Sequence, residues 1–428
     1  MHTHPNGTAG IIEALEPRLA PAGVISLSTV GGILTISGDG LGNSIAITDV
    51  PGTQGPGAPG TGTWTISDPV AMGGTSFFLN GVNKGTADFD IPAQTAIKAT
   101  LGDGDDRLDI IPSDAPSGIM LSGVLNINAG KGDDIVNLGT GAGQQIVIGG
   151  ATTVNLGDGN DTWAGNANAV FNGAVSILGG TGNDGIRFFN TGDHIFQKGL
   201  SVDLGTGTDT FRTISNLFEV LGGVVSIKGA GLAGTAQTID FDPDTGMIEG
   251  AVTVAMAAGD LTMEVGTVGT DIFRFGAGLT ITTGAGDDSV VFDGTVTVAG
   301  AVSLDLKDGI NTTTLTASRT MQAGSLSIKG GAGTDTVTFD DDSTLIVAGA
   351  LNVSLGAGAN TWNVNPGQSL TAGSLTFTGT TGDDAINFTN ASLTIFGSAT
   401  IGLDAGDNAT TLAPTVAGFI GGTLSLTG

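Results

Sequence analysis

One short motif recurs along most of this chain and limits its possible folds more than any other feature. The motif is Gly-x-Gly-x-Asp or Gly-x-Gly-x-Asn, as in LGDGDD at 101–106 and GGAGTD at 330–335. Successive copies are 23 to 28 residues apart, except for one gap of 79 residues that fits three intervals, with degenerate turns near 228–235 and 257–260. A fixed period of this length is typical of solenoids, in which each repeat forms one coil. The second glycine of the copies falls at Gly104, Gly132, Gly159, Gly182, Gly207, Gly286, Gly309, Gly333, Gly358, Gly382 and Gly406.

Between the glycine motifs, apolar and polar residues alternate over short runs. Leu351 and Val353 precede one turn, and Val337 and Phe339 follow another. Strict alternation indicates strands with one buried face. A further glycine, such as Gly349, stands nine residues before the second glycine of most motif copies and marks a corner. Each unit therefore reads as strand, glycine turn, strand, bend, strand and corner.

A unit of this kind cannot bury its apolar face alone, but stacked units can. We therefore predict an all-β fold, a right-handed parallel β-solenoid of about 24 residues per coil over 101–428. Twelve intervals at about 4.8 Å give a rod of roughly 55–60 Å. Residues 24–100 lack the period and are predicted to form an N-terminal β cap, with a small separate β domain as the alternative. The phenylalanines predicted to stack inside the rod are Phe188, Phe292, Phe339 and Phe388.

The charge balance narrows the classes of partner. The chain has 13 Lys and Arg against 41 Asp and Glu, a net charge of -28. This argues against nucleic acids and anionic membranes, which are bound by basic patches, and favours cations. The absence of cysteine excludes disulfides and thiolate metal sites. The sequence has no run of 18 apolar residues, so no membrane span is predicted. The first residues lack the apolar region of an ordinary signal peptide.

Two resemblances to known families follow from quoted segments. EALEPRLAPAG at 13–23 resembles the LEPR-XLL sorting segment of exported planctomycete-type proteins, although Leu19-Ala20-Pro21 departs from the expected leucine pair. GGTGNDGIR at 179–187 and GGAGTDTVT resemble the RTX calcium-binding nonapeptide, but one copy occurs per coil instead of one every nine residues. The chain thus looks like a bacterial β-strand-repeat surface protein. The resemblance implies a sorting-like tail at 1–23 and a secreted or cell-surface location.

The turn carboxylates of the first block are candidate ligands for Ca²⁺. Stacking brings equivalent carboxylates within about 5 Å, and a hard cation with oxygen ligands relieves their repulsion. We therefore predict weak calcium sites between the turns of 101–209. The candidate ligands are Asp103, Asp105, Asp106, Asp133, Asp134, Asp158, Asp161, Asp184 and Asp209.

In the later block the same turn position alternates between Asp and Asn, which dilutes the charge. Side-chain hydrogen bonds can then hold the ladder, so we predict no metal there. The alternating residues are Asp288, Asn311, Asp335, Asn360, Asp384 and Asn408.

Enzymes need an acid, a base and a cation clustered in a groove. Here the basic residues lie in different coils, and the only histidine within the repeats, His194, is interpreted as a solvated strand residue. Trp163 and Trp362 follow the turn at inward positions, so we expect them in the core. These observations favour a protein that is not an enzyme.

The predicted function is therefore a non-catalytic extracellular structural or adhesive repeat protein, with calcium as a stabilising ion. The alternative is a polysaccharide-active β-helix enzyme, a lyase or a hydrolase. Candidate partners are a surface polysaccharide and a second copy of the chain, which would associate through the uncapped C-terminal coil ending in GGTLSLTG.

Overall fold

A computed structural model describes residues 23–50, 60–69, 74–113, 118–141, 143–266, 272–316, 318–389, 391–413 and 418–428. All of these residues lie in β-strands, turns or irregular segments, and none of them is helical. Strands of successive coils pair in parallel, so the predicted parallel β-solenoid is confirmed. Residues 1–22, which include most of the LEPR-XLL-like segment, are outside the described residues.

Seven short strands precede the first regular coil. They are β1 (Val24–Val30), β2 (Ile33–Ser37), β3 (Ser44–Asp49), β4 (Thr63–Ser67), β5 (Ser76–Leu79), β6 (Val82–Gly85) and β7 (Phe89–Pro92).

The first half of the regular stack follows. Its strands are β8 (Ala96–Asp103), β9 (Arg107–Ile111), β10 (Ile119–Leu121), β11 (Leu125–Lys131), β12 (Ile135–Leu138), β13 (Gln145–Ile148), β14 (Thr152–Asp158), β15 (Thr162–Gly165), β16 (Asn168–Phe171), β17 (Val175–Thr181), β18 (Gly185–Phe196), β19 (Leu200–Asp203), β20 (Thr210–Val220), β21 (Val225–Gly229), β22 (Ala236–Phe241), β23 (Thr245–Ile248), β24 (Val252–Met256) and β25 (Asp260–Val265).

The second half completes it. Its strands are β26 (Ile272–Phe275), β27 (Leu279–Thr282), β28 (Ser289–Phe292), β29 (Thr295–Asp305), β30 (Thr312–Leu315), β31 (Thr320–Lys329), β32 (Thr336–Phe339), β33 (Thr344–Gly356), β34 (Thr361–Val364), β35 (Ser369–Gly379), β36 (Ala385–Thr389), β37 (Ser392–Ile395), β38 (Ala399–Gly402), β39 (Ala409–Ala413), β40 (Phe419–Ile420) and β41 (Leu424–Thr427).

Each coil has three strand segments, and away from the ends of the rod each segment pairs with its equivalent in the coils on either side. β11 precedes a glycine turn and pairs with β8 and β14. β12 follows the turn and pairs with β9 and β15, while β13 leads to the corner and pairs with β10 and β16. Long strands such as β18 and β33 cover two faces of one coil or continue through a corner into the next. The rod is therefore a three-sided stack with a spacing of about 4.8 Å between coils.

The gap of 79 residues between glycine motifs contains the predicted degenerate turns. β21 pairs with β24 and β24 with β27, so the stack continues through this region without interruption. The turns that follow β21 and β24 lack the full motif but connect strands of the same two faces. Loss of the motif therefore does not interrupt the parallel pairing.

The strands before residue 96 combine parallel and antiparallel pairing. β2 stacks in parallel on β8 and β3 on β9, which extends the solenoid by part of a coil. β1 pairs antiparallel with β2, and β4 pairs antiparallel with β3 and β7. These strands occupy the backbone groups that β8 and β9 would otherwise leave free at the edge of the stack.

The inward side chains form one continuous apolar core along the rod. As predicted, Trp163 and Trp362 are fully buried, and the four phenylalanines named above are at most 2% exposed. Aromatic rings of different coils pack edge to face, for example Phe339 and Trp362 with centroids 5.9 Å apart. Edge-to-face pairs of this kind add to the stabilisation from burial.

Large and small residues alternate from coil to coil at one inward position before the glycine turn. Strand pairing aligns these residues in a single column of buried side chains. In coils where this column has glycine, a second inward column after the turn has phenylalanine, as with Gly330 and Phe339. A coil with glycine in the first column has the larger side chain in the second column, and the next coil has the reverse, so the interior stays filled. The structural repeat is therefore two coils. The first column is Leu101, Ala129, Leu156, Gly179, Leu204, Gly229, Met256, Thr283, Leu306, Gly330, Leu355, Gly379 and Leu403.

Candidate functional site

The turn aspartates form a buried column, here called the inner column. Its first five members, Asp106, Asp134, Asp161, Asp184 and Asp209, are at most 2% exposed. The last residue of each motif stands one residue before the strand that follows the turn. Alternation along that strand places its side chain on the inward side, together with the second residue of the strand. The side chains that sequence analysis assigned to the predicted calcium sites are therefore split between the interior and the surface.

Hydrogen bonds connect the inner column from coil to coil. The backbone N–H of Asp106 donates to Asp134 Oδ1 at 2.8 Å, and that of Asp134 donates to Asp161 Oδ1 at 2.7 Å. The same bond joins Asp161 to Asp184 at 2.9 Å, and Asp184 to Asp209 at 2.8 Å. Each carboxylate thus reaches towards the preceding coil and satisfies a buried N–H of its turn.

A second row of side chains, the outer column, lies on the surface and reaches in the opposite direction. Asp133 N–H donates to Asp105 Oδ1 at 2.9 Å, and Asn160 N–H donates to Asp133 Oδ1 at 2.7 Å. The row continues through Asn183 N–H, which donates to Asn160 Oδ1 at 2.9 Å. The two columns therefore hold each turn to the coil before it and to the coil after it.

The remaining predicted ligands, Asp103 and Asp158, belong to a third row. Strand pairing places Lys131 between them, with Asp103 in the coil before and Asp158 in the coil after. A lysine between two carboxylates reduces the repulsion that would favour a bound cation. Within the residues that the structure describes, no three His, Asp or Glu side chains are grouped closely enough to hold a metal ion.

Burial changes the acidity of the inner column. It raises the pKa of Asp134 and of Asp184 to about 7, against hydrogen bonds from Asp106 and Asp161 that lower it. Burial likewise raises the pKa of Asp106 and of Asp161 to about 6. Negative charges of neighbouring aspartates add to each of these increases. Oδ2 of these four side chains is buried and has no hydrogen-bond partner within the described ranges, so a carboxylate there is poorly solvated.

The turn glycines are required because the coils approach each other closely at the turns. Gly159 has a φ of 143°, and a Cβ added there would lie 1.9 Å from the carbonyl oxygen of Gly132. Gly182 and Gly207 meet the preceding turn in the same way, with Cβ positions 1.8 Å and 1.7 Å from a carbonyl oxygen. Glycine both accepts this backbone conformation and leaves space for the stacked turn.

In the later block, amides and carboxylates alternate in the inner column and bond to each other. Asn311 Nδ2 donates to Asp335 Oδ1 at 2.9 Å, and Asn360 Nδ2 donates to Asp384 Oδ1 at 3.0 Å. Asp335 N–H in turn donates to Asn360 Oδ1 at 2.9 Å. The predicted side-chain hydrogen bonds between Asp and Asn are confirmed, and their pattern follows the two-coil alternation of the core.

Sequence analysis missed a charged groove on the outer surface of the strands that follow the turns. Strand pairing aligns Arg187, Arg212, Asp240 and Glu264 in four successive coils. These residues line one groove together with Thr210, Thr238 and Thr262. Sequence analysis treated the basic residues as dispersed because they lie in different coils. Arg187 and Arg212, however, occupy equivalent positions of adjacent coils and are neighbours.

The charged side chains of the groove differ in their contacts. Arg212 binds Asp240 Oδ2 through Nε at 2.8 Å and Nη2 at 2.6 Å. Arg187 lies over the Phe189 ring, 5.5 Å from its centroid, and its buried Nε has no hydrogen-bond partner among the described residues. Burial raises the pKa of Glu264, and Asp240, Asp293 and Asp242 raise it further. An acid with a raised pKa in a groove that also contains guanidinium groups is a feature of some catalytic sites.

His194 is fully buried, so its interpretation as a solvated residue was wrong. β18 continues through the bend, and this places the imidazole inside the core, where Nε2 lies 3.2 Å from the Gly165 carbonyl oxygen. Burial lowers its pKa to about 4, although the Gly165 hydrogen bond opposes this effect.

The chain was compared with family models, curated proteins and solved structures, and none of the three comparisons found a match. Among the described residues, no helix has the length and apolar character needed to cross a membrane.

Proposed function

We propose that the chain is a non-catalytic rod at the cell exterior, with a structural or adhesive role. The observation that carries this proposal is the uninterrupted stack from β8 to β41, in which every coil bonds to the next on three faces. Such repetition produces a stiff object of defined length and distributes function along a surface. The exterior location rests on the LEPR-XLL-like and RTX-like segments.

The test is a search for turnover by the purified chain. We expect no release of reducing ends or unsaturated products from pectin, alginate or related glycans over long incubation. The same glycans, immobilised, serve to detect adhesion. Turnover that Glu264→Gln abolishes, and that a matched Glu219→Gln variant on another face retains, would contradict the non-catalytic role.

The charged groove supports the second candidate function, a polysaccharide-active enzyme. Arg187 and Arg212 offer guanidinium groups for the carboxylates of an acidic sugar, and Glu264 offers a carboxyl group with a raised pKa for proton transfer. The glycan assay above decides between the two functions, because only an enzyme would release product.

We also propose that calcium stabilises the first block weakly. The inner carboxylates each accept a backbone N–H and are closed to solvent, so they fit a calcium ion poorly. Asp105 and Asp133 fit better, because they are exposed neighbours in adjacent coils. Backbone carbonyls of the turns would have to complete the ligand set.

Self-association through the last coil is a further part of the proposed role. Leu424 and Leu426 of β41 are 44% and 53% exposed, and Phe419 of β40 is 53% exposed. β41 pairs with β38 alone among the described strands. A second copy of the chain could cover these apolar side chains and pair with the other edge of β41.

A further inference from the structure

Asp335 in the inner column has one oxygen for which the described part of the structure supplies no partner. Its Oδ1 accepts hydrogen bonds from Asn311, and its N–H donates to Asn360 Oδ1. Oδ2 is buried, no described residue donates a hydrogen bond to it, and Asp335 as a whole is 2% exposed. An ionised carboxylate oxygen in that position loses its hydration and gains no donor in return.

The asparagines of the neighbouring coils show what this position accommodates. Asn311 Nδ2 donates to the Lys307 carbonyl oxygen at 3.3 Å, and Asn360 Nδ2 donates to that of Gly356 at 3.1 Å. Asn408 Nδ2 donates to the Asp404 carbonyl oxygen at 2.9 Å. In all three coils the acceptor lies four residues before the asparagine, so the turn presents a carbonyl oxygen to this side chain.

In the coil of Asp335, the two-coil alternation makes room for the carboxyl group. A Cβ added at Gly330 would lie 1.8 Å from Asp335 Oδ2, so this oxygen occupies the space that a side chain at position 330 would fill. In the asparagine coils the equivalent position is leucine, Leu306 or Leu355. The site therefore encloses the carboxyl group together with its second oxygen.

We propose that Asp335 is a neutral carboxylic acid in mildly acidic surroundings, with its Oδ2–H donated to a backbone carbonyl of its own turn. Loss of this proton near neutral pH loosens the stacking of the coils between residues 311 and 360. The later half of the rod thus contains a segment in which the stacking of the coils depends on pH.

The surrounding charges do not offset ionisation of Asp335. The preceding coil contributes Asp305, Lys307 and Asp308, and both Lys307 and Lys329 bind Asp305. The following turn and strand, 355–364, contain no charged residue, and Asp340, Asp341 and Asp342 lie beyond the far end of β32. Burial raises the pKa of Asp335 to about 6, the hydrogen bonds from Asn311 lower it, and Asp308 raises it. Because this pKa lies above the ordinary 3.8, the proton stabilises the fold fully below pH 3.8, and the stabilisation is lost as the pH rises through about 6.

The test is hydrogen exchange of the full chain in chelator at pH 4.5 and pH 7.5, corrected for intrinsic exchange rates. We expect opening of the segment 329–339 to be at least about tenfold more frequent at pH 7.5 in the wild type. In Asp335→Asn the amide supplies the missing donor, so protection at pH 7.5 should match that of the wild type at pH 4.5. The exposed Asp383→Asn variant is the matched control and should keep the pH dependence.

Equal wild-type protection at both pH values would overturn the proposal, and so would weaker protection of Asp335→Asn than of the wild type at pH 7.5. If Asp335→Asn fails to fold, the carboxyl-carbon NMR signal assigned to Asp335 in the wild type decides the question. The chemical shift of a protonated acid at pH 5 that changes to that of a carboxylate by pH 8 supports the proposal, and the shift of a carboxylate already at pH 5 refutes it.

Discussion

Acid should destabilise the rod through His194, whose imidazole is enclosed in the core. The side chain packs edge-on against Phe188, with ring centroids 5.3 Å apart, and its Nδ1 is buried without a partner among the described residues. Burial lowers its pKa from 6.5 to about 4. The unfolded chain therefore takes up a proton at a higher pH than the folded chain does. Stability contributed by the neutral ring is complete above pH 6.5 and is lost as the pH falls towards 4.

The size of the effect follows from these two pKa values. The expected loss is about 2 kcal/mol at pH 5 and about 3 kcal/mol at pH 4. His194→Leu removes the titrating group, so the free energy of unfolding of the variant relative to the wild type should rise by about 2 kcal/mol between pH 7.5 and pH 5. Comparing the two proteins at each pH cancels the titration of the aspartates, which is common to both.

The assay is denaturant unfolding followed by tryptophan fluorescence. Trp163 is a suitable probe because strand pairing places it against Ile186 in the coil of His194. Asp193→Asn, at the exposed neighbouring residue, is the control and should leave the pH dependence of the wild type unchanged. An identical pH dependence of His194→Leu and the wild type would refute the reasoning.

Three further predictions concern the turns and the end of the rod. Gly159→Ala should destabilise the chain by more than about 2 kcal/mol in denaturant titrations, because its Cβ meets backbone and its φ is positive; a loss below about 0.5 kcal/mol would contradict the close stacking. Millimolar calcium should raise the Tm of the wild type and leave that of the Asp105→Asn, Asp133→Asn double variant unchanged; equal shifts would rule out this site. Leu424→Ser combined with Leu426→Ser should reduce association in light scattering at high concentration, and a wild type that stays monomeric would contradict end-to-end contact.

The fold could be predicted from the glycine motif because each copy acts only on the backbone conformation and the space at its own turn. A turn with positive φ and no space for a Cβ tolerates only glycine, as at Gly207 and Gly382. Alternation between the motifs then determines which residues face inward, and Trp362 and Phe388 are buried as that pattern predicts. Even the region without intact motifs, between Gly207 and Gly286, was predictable from the length of the gap alone.

The candidate sites were less predictable, because they depend on which residues of different coils align. Arg187 and Arg212 are 25 positions apart in the sequence and neighbours in the structure, and only the exact register of β18 and β20 reveals this. His194 was misplaced because β18 continues through a bend where the sequence indicated a separate strand. The two-coil alternation of Leu306, Gly330 and Leu355 is present in the sequence but becomes visible only when the coils are aligned.

Cross-linking of adjacent coils tests the parallel, in-register stack most directly. The chain has no cysteine, and the pair Ser303→Cys with Ser327→Cys would place two thiols on paired residues of neighbouring coils. At a coil spacing of about 4.8 Å this pair is within disulfide range, whereas Ser303→Cys with Asn352→Cys, two coils apart at about 9.6 Å, is not. Mild oxidation should close the first pair nearly completely and leave the second reduced, as judged by mobility on non-reducing gels. Closure of the second pair, or failure of the first, would contradict the stacked-coil architecture on which the proposed function rests.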